Sequence, residues 1–216
     1  MGKITIPKYS LGEELINSIS HGVGVLLGII ALVLTVVFSA THHSTIGVVS
    51  SYIYGTTMII MYLISCLYHA LSPKLKAKKV FRVLDHCDIY LFIAGCYTPY
   101  CLCLIGGNEG WIIFAIIWAS AILGVLLNAI NLEKFQIPST ILYLIMGWMI
   151  IFSYNTISAL LPTPGLVLLI TGGIAYTIGA ILYGIGAKKK YFHSVFHFFV
   201  LAGSTLQFLS ILIYVV

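Results

Sequence analysis

Uninterrupted apolar runs of about twenty residues recur along the chain from Ser20 to Val216, parted only by short polar breaks. That length matches the hydrocarbon core of a bilayer, which a helix of about 20 residues spans. The runs are continuous rather than alternating in polarity, so they do not read as barrel strands, which need segments of about ten residues with period two. Composition supports this. Hydrophobic residues make up 60% of the 216 residues and charged residues only 8%, with a mean hydropathy of +1.07. Soluble domains carry about 25% charged residues. A chain this apolar cannot cover a water-facing surface, which excludes soluble and disordered classes. The expected fold is all-α and integral to the membrane: one domain over residues 1–216 with seven transmembrane helices.

The spans fall near residues 20–40, 46–71, 83–105, 111–130, 139–160, 166–187 and 192–216, behind an amphipathic lead-in helix within residues 1–19. Ser72-Pro73, the run Gly106 to Gly110 and Pro162-Thr163-Pro164-Gly165 supply the breaks. Lys3, Lys8, Glu13 and Glu14 precede a first run of full membrane length with no small-residue cleavage pattern, so no cleavable signal is expected. All 11 Lys and Arg lie in the N-terminus and the stretches after spans two, four and six; the other connections and the C-terminus have none. By the positive-inside rule the N-terminus is cytoplasmic and the C-terminus extracytoplasmic. The net charge of +5 is thus a topology signal rather than a nucleic-acid one. The five cysteines sit in or beside apolar runs and read as reduced core residues.

Ionisable side chains inside a span are functional candidates because burying them in lipid costs several kcal/mol. This topology puts His21, His69, Asp85, Asp88, His193 and His197 at one depth, a turn or two inside the cytoplasmic face. His193 and His197 share one face of a helix, as do Ser65 and His69; Asp85 and Asp88, three apart, share a face of the third span, while His86 points elsewhere. If spans two, three and seven adjoin, three imidazoles and a carboxylate converge. Three His around Zn2+ leave a fourth position for water, whose pKa falls toward about 7. Asp85 is then placed to take or hold that water's proton, and Ser65 to donate to a developing oxyanion. The plainer reading of a lone His-x-x-x-His is an interfacial pair, but Ser65, His69 and Asp85 at the same depth favour the metal. His42 and His43 read as solvated loop residues, His86 as bonded to a backbone carbonyl or lipid headgroup, and Asn128, Asn131, Asn155 and Gln207 as interhelical partners.

Five stretches in order, from Glu13-Glu14 through His21-Gly22, Ser65 to His69, Leu84-Asp85-His86, Ala94 to Pro99 and His193 to Ser204, resemble the hemolysin III family. That family is the bacterial branch of the progestin and adipoQ receptor (PAQR) superfamily. The resemblance covers almost the whole chain. It implies seven helices in the bacterial plasma membrane with a cytoplasmic N-terminus. It also implies a zinc held by His69, His193 and His197, with Asp85 reaching it through water and Ser65 close by. Related receptors and alkaline ceramidases suggest hydrolysis of a lipid amide, so a membrane lipid is the expected partner. The bacterial branch is named for lysis of red cells and is tied to lipid homeostasis, which leaves a lytic protein and a receptor-like regulator with structural zinc as alternatives. The chain departs from the family at Gln207, where a third His is common, and at Asp88, where a small residue is expected and which would add a second carboxylate beside the metal.

Overall fold

The computed structural model describes residues 4–186 and 189–216; the topology lysines Lys3 and Lys188 lie outside them. Among the described residues every regular element is helical. In chain order these are α1 (Leu11–Thr41), α2 (Thr45–Ala70), α3 (Lys76–Pro99) with a π-helical continuation Tyr100–Ile105, α4 (Gly107–Trp148), a 3-10 turn Met149–Ser153, α5 (Tyr154–Leu160), α6 (Thr163–Gly186) and α7 (Phe192–Tyr214). Six stretches among the described residues are long and apolar enough to cross a membrane, one of them the whole of Gly107–Leu160.

The packing is that of a lipid-facing bundle. On α1 the buried stripe is small or polar, with Gly24, Gly28, Ala31, Thr35 and Ser39, while Leu26, Ile30, Val33 and Val37 are exposed. Lipid tails are as apolar as leucine, so small residues that let backbones approach are what hold such helices together. Gly55 on α2 shows the closeness: a Cβ there would lie 2.6 Å from the Leu32 Cα. Helix α1 packs on α2, α2 on α3, α3 on α4, α6 on α7, and α7 back on α1, so the helices ring a central space.

Three expectations need correction. The lead-in is not a separate helix. Ser10 caps α1 once, and nothing interrupts the helix from Leu11 to Thr41. The basic stretch 74–82 is not a loop either: α3 starts at Lys76, because Lys78 and Arg82 are buried in ion pairs with Glu14 and Glu133 rather than solvated. The expected loop after span four is a break at a single residue, Asn131 (φ −159°, ψ 87°), whose side chain accepts from the Lys134 amide at 3.1 Å and so restarts the helix.

The chain reverses around that break. Trp118 donates to Thr98 (3.2 Å) and Tyr97 donates to the Gly147 carbonyl (3.0 Å), so residues 118 and 147 lie at the same level of α3. On one straight helix they would be more than about 40 Å apart. One end lower, Asn128 donates to the His86 carbonyl (3.0 Å) and to the Tyr143 hydroxyl (3.1 Å), and accepts from Ser139 (2.6 Å). The two arms of α4 therefore run antiparallel, side by side against α3, and Asn128 is the interhelical partner its position suggests.

Candidate metal centre

The beginnings of α1, α3 and α7 and the end of α2 meet at one end of the bundle, and each end is tied down locally. Ser10 and Glu13 form a reciprocal cap: the Ser10 amide and hydroxyl donate to Glu13 Oε2 at 2.9 and 2.7 Å, and the Glu13 amide donates to Ser10 Oγ at 3.3 Å. The other Glu13 oxygen accepts from the Tyr191 amide at 2.8 Å. Tyr191, left-handed at φ 64°, precedes α7 directly, so the α1 cap anchors the start of α7. His193 and His197 then occupy the first two turns of α7, and His69 the last turn of α2.

The three imidazoles converge. One ring nitrogen from each of His69, His193 and His197 lies within 4.8 Å of the others, and all three residues are buried. Nε2 of His193 and Nε2 of His197 are 3.1 Å apart. Two nitrogens on a tetrahedral zinc, at about 2.0–2.1 Å each, stand about 3.3 Å apart. His69 Nε2 is buried without a hydrogen-bond partner among the described residues. Orphaned buried nitrogens are rare and costly, so converging imidazoles with free lone pairs are a donor set that fits zinc.

Outside this cluster, His69 Nδ1 meets Glu14 Oε2 at 2.7 Å, and Lys78 Nζ donates to Glu14 Oε1 at 2.6 Å and to the Leu71 carbonyl at 2.8 Å. Tyr9, in the extended segment before α1, stacks on His193 with centroids 4.9 Å apart and planes 23° apart. Burial raises the Tyr9 phenol above its ordinary value, so it stays a neutral donor. His21 lies 3.7 Å from His197, centroid to centroid, and neither His21 ring nitrogen has a hydrogen-bond partner among the described residues. Thr5 fastens the segment by donating to Glu133 through its amide (2.9 Å) and hydroxyl (2.7 Å).

A cavity of about 990 Å³ opens from the cluster into the centre of the ring. His193, His197, Ser65 and Asp85 are among the residues of its wall, and His69 completes the cluster without lining the cavity. Farther along, the wall is largely apolar, with Trp148 and Leu169, and it includes Gln207. Gln207 donates to the Leu169 carbonyl at 3.2 Å and accepts from Tyr100 at 3.4 Å, so it is an interhelical partner rather than a member of the cluster.

Two sequence expectations fail here. Asp88 adds no second carboxylate to the cavity wall: it is buried on α3, and neither oxygen has a partner among the described residues. A step of three residues turns a helix by about 60° short of a full circle, enough to take Asp88 off the face that Asp85 presents. His86 does not point elsewhere; it lines the cavity beside Asp85, because the α3 face that borders the cavity, with Ile89, Phe92 and Ile93, is centred between positions 85 and 86, on the side away from Asp88. His42 and His43 are exposed. Asn131 serves the local restart already described, and Asn155 accepts only from Ser158, through its backbone carbonyl, among the hydrogen bonds found.

Sequence reasoning gave Glu14, Asn17 and Tyr9 no part in the site, read Lys78 as a topology charge and lipid contact, and gave His21 a depth but no role. A signal existed. Glu14, Asn17 and His21 are spaced i, i+3 and i+7, one polar face at the start of an otherwise apolar helix.

Residues 9–208 match the family model described as "Haemolysin-III related". The chain is 39% identical over 213 residues to "Hemolysin-3" of Bacillus cereus, covering 99% of this chain and 96% of that protein. It is 39% identical over 208 residues to the "Hemolysin-3 homolog" of Bacillus subtilis (strain 168), covering 96% and 97%. It is also 25% identical over 177 residues to the human "Monocyte to macrophage differentiation factor", covering 76% of this chain and 69% of that protein.

Proposed function

Since the chain belongs to the haemolysin-III related family and is a multi-pass membrane protein, we propose that it is a zinc-dependent hydrolase of a membrane lipid amide or ester. In this reading it sits in the plasma membrane with seven spans. The stretch Gly107–Leu160 crosses twice, which its antiparallel arms support. The N-terminus and the histidine end face the cytoplasm, because Lys8, Lys74, Lys76, Lys79, Lys189 and Lys190 gather at that end.

The observation that carries the proposal is the meeting of three buried imidazoles with a large, mostly apolar cavity whose wall also holds Asp85 and Ser65. His69, His193 and His197 would hold the zinc, which supplies Lewis acidity and a water acidified toward a pKa of about 7. Asp85 stands outside the three-ligand group and acts as the base that takes the attacking water's proton. Ser65, one turn along α2 from His69, donates a hydrogen bond to the carbonyl oxygen as charge develops there. The apolar wall receives the acyl chain and keeps bulk water out. The test is zinc analysis of the purified protein together with hydrolysis of ceramide-type and ester lipids in proteoliposomes. About one zinc per chain is expected, with turnover that stops when the zinc is stripped.

A second reading has its own support. His69 is on α2 while His193 and His197 are on α7, two helices that also meet where Tyr62 donates to Ser204 at 2.7 Å. A zinc there would also clamp the ring shut, as a receptor-like regulator of membrane state would use it. Stripping zinc separates the two: a clamp loses its fold, whereas a catalytic site loses turnover and keeps it.

A further inference from the structure

We infer that Glu14, held in place by Lys78, is the positioning residue of the histidine cluster: it sets the tautomer of His69 and with it the affinity for the metal. The inference rests on the zinc reading above and deepens it.

A neutral imidazole has one N–H and one lone pair, and which nitrogen carries which is decided by its partners. An ionised carboxylate can only accept. At 2.7 Å from Glu14 Oε2, His69 Nδ1 must therefore carry the hydrogen. The lone pair is left on Nε2, the buried nitrogen that has no partner among the described residues. Asn17 Nδ2, 3.4 Å from the same Nδ1, is a donor and cannot replace the carboxylate in this role.

Lys78 makes the arrangement unique. It is fully buried, and its ammonium takes Glu14 Oε1 while Oε2 takes His69, one oxygen for each donor. The ammonium also donates to the Leu71 carbonyl just past the end of α2 and lies over the Tyr68 ring (5.1 Å to its centroid), which ties it to the helix that carries His69. The chain α3–Lys78, α1–Glu14, α2–His69 thus runs inward through three helices to the cluster. A buried ion pair is weak support for stability, because desolvation cancels most of its attraction. Orientation of a ligand is what this pair achieves that an apolar pair would not, and such carboxylate partners commonly change metal affinity by about 10–100-fold. Arg82, one turn along α3, pairs with Glu133 at 2.9 Å at the same end of the bundle, outside the cluster, which provides an internal control.

The experiment measures zinc affinity of the full-length protein in nanodiscs by chelator competition, for the wild type and for Glu14→Gln, Lys78→Met and Glu133→Gln. Glu14→Gln keeps the shape, but its amide can turn either an acceptor or a donor toward Nδ1. Its zinc affinity should fall about 10–100-fold. Lys78→Met should weaken zinc in the same direction, and Glu133→Gln should stay within about twofold of wild type. In 15N-histidine-labelled zinc-free protein, His69 should show Nδ1–H in the wild type and mixed tautomers in Glu14→Gln. If Glu14→Gln does not fold, Glu14→Asp, which draws the charge back by one methylene, should give a smaller loss of affinity. Unchanged affinity in the folded Glu14 variant, Nε2–H on His69 in the wild type, or an equal loss in Glu133→Gln overturns the inference while leaving the zinc reading intact. A wild type that binds no zinc overturns both.

Discussion

Asp85→Asn separates catalysis from metal binding. Asp85 lines the cavity but stands outside the group of three nitrogens that lie within 4.8 Å of one another. The amide has the same shape, and no side-chain hydrogen bond of Asp85 is found among the described residues, so stability should change by less than about 0.5 kcal/mol. Zinc content should stay near wild type for the same reason. Turnover should fall by about 10²–10⁴, the usual contribution of a positioned base, equivalent to roughly 2.7–5.4 kcal/mol of barrier. Asp88→Asn is the matched control. Its carboxylate lies outside the cavity wall, so turnover should stay within about twofold, and removing an unpartnered buried carboxylate should not lower stability. The assay is hydrolysis of a fluorescent ceramide-type lipid in proteoliposomes, with zinc measured on the same samples. Full turnover in Asp85→Asn, or a hundredfold loss in Asp88→Asn, would refute the assignment of the base.

Three further predictions address the metal, the topology and the packing. His193→Ala and His197→Ala should each lose most of the bound zinc and the double variant all of it, whereas His42→Ala, exposed at the opposite end of α1, should keep it; metal analysis decides. A reporter fused after Val216 should read as extracytoplasmic and one inserted in the turn between α2 and α3 as cytoplasmic; a cytoplasmic C-terminus would sink the seven-span count. Gly55→Ala would place a Cβ 2.6 Å from the Leu32 Cα, where only backbone movement gives relief. It should destabilise the α1–α2 pair by about 1–3 kcal/mol in thermal or denaturant unfolding, and an unchanged midpoint would contradict the described packing.

The helical class and the pairing of His193 with His197 were legible because both follow from one-dimensional spacing, whereas His69 joined them only on the condition that spans two and seven adjoin, and through the family resemblance. Apolar length marks helices, and i, i+4 histidines share a face. The break at Asn131 was less legible. A polar run of NLEKFQIPS reads as a loop, yet one non-helical residue suffices to turn the chain, since Asn131 caps the following arm itself. Facing could not be read finely either. Positions 85 and 86 stand about 100° apart and positions 85 and 88 only about 60°, so the side toward which the cavity extends from Asp85 decides that His86 reaches it and Asp88 does not.

The charges were the least legible part, because one residue type serves two physical purposes at the same end of the bundle. The positive-inside rule weights Lys74, Lys76, Lys78, Lys79 and Arg82 alike. The fold divides them: Lys74, Lys76 and Lys79 are exposed, while Lys78 and Arg82, four apart on one face of α3, turn inward to carboxylates on α1 and α4. An exposed lysine adds to the topology signal and to attraction for anionic headgroups. A buried lysine needs its partner, so it binds its helix to another. Counting charges therefore identifies the end at which the histidines lie, and pairing separates Lys78, tied to Glu14 beside His69, from Arg82, whose Glu133 stands outside the cluster. Glu14, the carboxylate shared by Lys78 and His69, is where topology and site join.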